Sequence, residues 1–83
     1  MTANVASLLD VMKFRLSMCD SGRITPSAEV IKATRILVNE LNALDSQEEI
    51  EITYSTNPFH AKYIRLSTGV VLAEFTVKDL SYW

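Results

Sequence analysis

The sequence predicts an α+β fold: a two-helix antiparallel hairpin packed on a three-stranded antiparallel β-meander, in the order α-α-β-β-β. Apolar residues recur at spacings of three and four through the first half of the chain, and from Glu49 that period gives way to two. The two Gly and two Pro (Gly22, Pro26, Pro58 and Gly69) fall between these periodic runs.

Residues 3–19 contain neither Gly nor Pro and read as the first helix. Val5, Leu8, Leu9, Met12, Leu16 and Cys19 share one face of it. A second apolar set, Val11, Phe14 and Met18, falls on nearly the opposite side, so polar cover is confined to Asp10, Lys13, Arg15 and Ser17. A helix with apolar residues on two sides is either sandwiched within the fold or half in a partner. Asp20-Ser21-Gly22 ends it, Gly22 being suited to a left-handed cap.

Thr25 as N-cap and Pro26 at the first helical position predict a second helix running to about Leu44. Its core stripe is Val30, Ile31, Thr34, Leu37, Val38, Leu41 and Leu44. The short connection favours an antiparallel pair of helices. Ile50, Ile52 and Tyr54 then alternate with Glu51, Thr53 and Ser55, as in a half-buried strand. After a loop at Asn57-Pro58, strands near 61–67 and 70–77 flank a tight Ser67-Thr68-Gly69 turn. A three-residue turn would pair Leu66 with Val70, Ile64 with Leu72 and Lys62 with Glu74.

Eighty-three residues make one domain, 1–83, and 48% hydrophobic with 22% charged residues is a compact globular composition. Cys19 is the only cysteine and cannot pair within the chain. With one Cys and one His, no metal site is expected, and no cofactor motif is present. Asp10, Lys13 and Arg15 interrupt the N-terminal apolar run and no basic residue precedes it, unlike a signal peptide. No stretch approaches the ~20 apolar residues of a membrane span. A cytoplasmic setting without membrane contact is therefore expected.

Residues 1–44 carry five basic and four acidic side chains, and residues 45–83 three and six. The acidic run of Glu48, Glu49 and Glu51 reads as a solvated strand entrance. His60 has no Ser or Cys in a nucleophile motif beside it. Around it, Asn57-Pro58 is expected to form a turn, Phe59 to cover the sheet edge, and His60 and Lys62 to begin a partly exposed strand. No catalytic residue, and no enzymatic activity, is expected.

Lys32, Arg35, Asn39 and Asn42 share the outer face of the second helix and are the candidate nucleic-acid contacts, since Arg and Asn can pair with base edges. In element order the chain is similar to winged DNA-binding domains. It departs from them in its longer helix connection, its missing third helix and its net charge of −2. The candidate protein interface is Val11, Phe14 and Met18, with Tyr82 and Trp83 as possible aromatic anchors. The expectation is a small cytosolic interaction or regulatory protein of bacterial or phage type, working as a homodimer. A nucleic-acid-binding regulator using the second helix is the alternative.

Overall fold

The computed structural model describes residues 1–56 and 59–76, with only the backbone described at Thr56 and Phe59. The elements are β1 (Thr2–Asn4), α1 (Val5–Asp20), α2 (Ala28–Asn42), β2 (Glu49–Thr56), β3 (Phe59–Arg65) and β4 (Val71–Phe75). The α+β class holds, but the sheet has four antiparallel strands in the order β1-β2-β3-β4, not three.

Two of the three residues of the added strand, Ala3 and Asn4, fall in the first turn of the helix that the sequence predicts over 3–19. Asn4 has extended backbone (φ −80°, ψ 161°) and its Oδ1 accepts a hydrogen bond from the Ser7 N–H at 2.8 Å. It is therefore the N-cap, and Thr2 and Ala3 before it are extended and pair with Glu51 and Ile50. The Met1 carbonyl accepts the Ile52 N–H at 2.7 Å, continuing the ladder by one step. Two further donors of the α1 N-terminus are satisfied from a distant segment: Val5 N–H by the Glu48 carbonyl at 2.9 Å, and Ala6 N–H by that of Ser46 at 3.1 Å.

At its other end α1 closes as expected. Gly22 takes φ +75°, its N–H bonding to the Cys19 carbonyl while Arg23 N–H bonds to that of Met18. That pair of bonds is a Schellman cap. The N-cap of α2 is Ser27 rather than Thr25; the Ser27 side chain accepts from Val30 N–H, and Pro26 is buried ahead of the helix.

The core stripe of α2 is buried at Val30, Thr34, Leu37 and Leu41 and half-buried at Ile31, Val38 and Leu44. Thr34 is the only polar residue buried among those described, and its hydroxyl donates to the Val30 carbonyl at 2.8 Å, so it needs no partner outside the helix. α2 packs on α1 and on β4. Beneath the helices lie Ile50, Ile52, Ala61, Tyr63, Ala73 and Phe75 on one face of the sheet. Tyr63 and Phe75 meet edge to face, ring centroids 5.5 Å apart.

Lys62 faces Glu74 as expected, but Ile64 faces Val71 rather than Leu72, and the Arg65 N–H bonds to the Val70 carbonyl. A register shift between Tyr63 and Ile64 displaces Leu72, which turns to pack half-buried against the core. The turn is correspondingly longer: the Arg65 carbonyl accepts from Gly69 N–H, with Gly69 at φ +75°. The Asn57-Pro58 loop and the Phe59 side chain lie outside what is described.

Candidate protein-interaction face

The two sides of α1 behave differently. Val5, Leu8 and Met12 are buried beneath the helix, with Leu9, Leu16 and Cys19 half-buried. On the second side Val11 is 44% and Phe14 64% exposed, while Met18 is half-buried. The sheet lies on the first side and α2 covers part of the flank, so this second stripe points away from the core. Leaving a Phe side chain in water forgoes ~1.5–3 kcal/mol of burial.

Beside the stripe, an open groove of about 210 Å³ separates α1 from the sheet. Val11 and Arg15 line its helix wall, and Met1, Ile52, Tyr54 and Tyr63 line the sheet side. Burial pushes the Tyr63 phenol up to about 12; nearby Tyr54 adds to this and Arg15 partly opposes it. Tyr63 is thus protonated at neutral pH, a hydrogen-bonding floor and not an anionic nucleophile. The Cys19 thiol is also raised, first by burial and then by the Asp20 carboxylate, which disfavours the reactive thiolate.

The opposite face of the sheet carries Glu51, His60, Lys62 and Ile64, all half-buried. There His60 is partly exposed, as expected, but it has a partner that the sequence reading missed. Its Nε2 lies 2.5 Å from Glu74 Oε1, a diagonal neighbour on β4, and this holds the Glu74 carboxyl below its ordinary range. Ser55 sits directly across from His60 on β2, and no hydrogen bond joins the two side chains.

The acidic run is not uniformly a solvated entrance. Glu49 is exposed, but Glu48 is half-buried and its carboxylate accepts from Arg65 Nε, from Arg65 Nη2 at 3.1 Å and from Ser67 Oγ at 2.6 Å. These bonds to Arg65 and Ser67 hold its pKa low. The fork is a tie between the start of β2 and the turn after β3.

On α2, Lys32, Arg35, Asn39 and Asn42 are all exposed on one face. Arg35 is shared with Asp20 of α1, at 3.5 Å, which offsets part of the positive charge there. Among the described residues no group of three or more His, Cys, Asp or Glu could hold a metal ion. Among the described residues no helix is long and apolar enough to cross a membrane. Tyr82 and Trp83 lie outside the described residues.

Fold and site together define a small α+β protein whose most distinctive surface is an uncovered apolar helix face beside a groove. No protein-family model, curated protein or solved structure matches the chain.

Proposed function

We propose that this chain is a small interaction or regulatory protein that acts in the cytoplasm through protein–protein contacts, as a homodimer joined through α1. The observation that carries this reading is the exposure of Phe14 and Val11, on a helix whose other side already fills the core. A small chain with no disulfide to staple it gains buried area by association.

Light scattering on a sizing column tests it. The wild type should run as a dimer, and Phe14→Glu, which sets a charge in the apolar contact, should run as a folded monomer by circular dichroism. A wild type that stays monomeric at about 100 μM, far above a typical micromolar Kd, would remove the homodimer. The nucleic-acid reading rests on the grouping of Lys32, Arg35, Asn39 and Asn42 on one exposed face. It is the weaker of the two because Asp20 already engages Arg35.

A further inference from the structure

Phe14 and the groove lie side by side on one surface. Val11 belongs to the helix wall of the groove, and Phe14, three residues further along α1, stands on the far side of Val11 and outside the groove lining. Its ring therefore cannot fill the groove of its own chain. The groove holds about 210 Å³, and the buried side chains of Leu8 and Ile52 help to line it. A cavity of roughly 150 Å³ already admits benzene, so a phenyl ring fits with room for its methylene. An exposed apolar knob beside a hole of matching size is the self-complementary surface that a two-fold dimer needs.

We infer that each copy of the homodimer seats its Phe14 ring in the groove of the other. This rests on the homodimer reading above. Area separates such an exchange from a plain meeting of the two stripes. A stable interface takes about 800 Å² from each partner, roughly a sixth of the 5128 Å² that this chain exposes. One aromatic side chain buries roughly 150–250 Å², so Phe14 with Val11 and the half-buried Met18 supplies at most about half of that area. Seating the ring draws in the rim of the groove as well, where Met1 and Tyr54 are exposed, and extends the contact from α1 onto the sheet. Two-fold symmetry forms the contact twice, and each ring leaves water for an apolar setting.

Two experiments test the exchange. In dimers of one isotope-labelled and one unlabelled copy, filtered NOE spectra should connect the Phe14 ring of one chain to the Leu8 and Ile52 methyls of the other. The second experiment mixes variants. Ser7→Trp, at an exposed position on the groove wall, fills the hole, and Phe14→Ala removes the knob. Neither variant alone can form the contact, but a mixture restores one, with Phe14 of the Ser7→Trp copy entering the open groove of the Phe14→Ala copy. The mixture should associate at least about tenfold more tightly than either variant alone, as burial of one Phe side chain allows. A wild-type dimer without those NOEs, or variants folded by circular dichroism that gain nothing on mixing, would overturn the exchange and leave the homodimer standing. A monomeric wild type would remove both.

Discussion

Glu48 joins three segments at once: its carboxylate holds Arg65 and Ser67, and its backbone carbonyl receives the first N–H of α1. The carboxyl pKa is lowered in the folded chain, so the stability that it contributes is present above the unfolded value and is lost as pH falls through the folded one. Thermal melts between about pH 7 and pH 3, a span that brackets the carboxylate range, should show a steeper acid-side decline in the wild type than in Glu48→Gln. Equal slopes would mean that the tie does nothing for the fold. The same reasoning gives the His60 pair an observable. His60→Gln should leave the fold intact and let the Glu74 carboxyl rise toward its ordinary pKa, as read by carboxyl-carbon NMR. An unmoved Glu74 would show that the 2.5 Å contact is not kept in solution. Neither pair was named in the sequence reading, for different reasons. His60 and Glu74 are diagonal in a register that already set Lys62 opposite Glu74, so the signal was present one step away. Glu48 was hidden because a run of three glutamates looks uniform, and only the turn of the chain at Ser67 decides which one is enclosed.

Helices α1 and α2 were legible because their apolar spacing spans four turns, and burial follows it closely at Val5, Leu8, Met12, Val30, Leu37 and Leu41. Leu37 is wholly enclosed, and Leu37→Ala should cost about 2–5 kcal/mol by urea unfolding. Strand β1 was not legible. Three residues are too few to show a period of two, and Thr2 and Ala3 carry nothing that forbids a helix. What separates strand from helix there is the cap at Asn4, and Asn4→Ala should lower stability by about 1 kcal/mol. A smaller loss would mean that the Glu48 and Ser46 carbonyls alone hold the helix start. The misplaced cap of α2 has a similar origin. Thr25 and Ser27 are both good caps, and Pro26 fits either just inside the helix or just before it. The outer face of α2 makes a binding prediction of its own. If it contacts DNA or RNA, the wild type should bind at low salt and weaken as salt rises, and Lys32→Glu with Arg35→Glu should abolish binding in a filter or anisotropy assay. No binding at low salt would retire that reading.

Across the whole molecule, the class and the succession of helices then strands were readable, while the number of strands was not, because the fourth is drawn from the far end of the sequence. Association should show at this scale too. If two copies share a seam at α1, the melting temperature should climb with protein concentration, which a monomer's would not. Most pairings here are local: α1 with α2, and β2 to β3 to β4 by successive turns. The pairing of Thr2–Asn4 with Glu49–Glu51 is the exception, closing a loop over more than half of the described chain. Such a closure loses chain entropy before any contact rewards it, and so tends to form late. Ala3→Gly, which loosens β1 alone, should accordingly speed unfolding and leave the folding rate nearly unchanged in stopped-flow measurements. The amides of Val5 and Ala6 would then be a clock for that last step. In an ordinary helix the first-turn amides exchange with solvent almost at once. Here they are shielded only while the Ser46–Glu48 segment stays seated, so their deuterium uptake times how often the molecule unlatches.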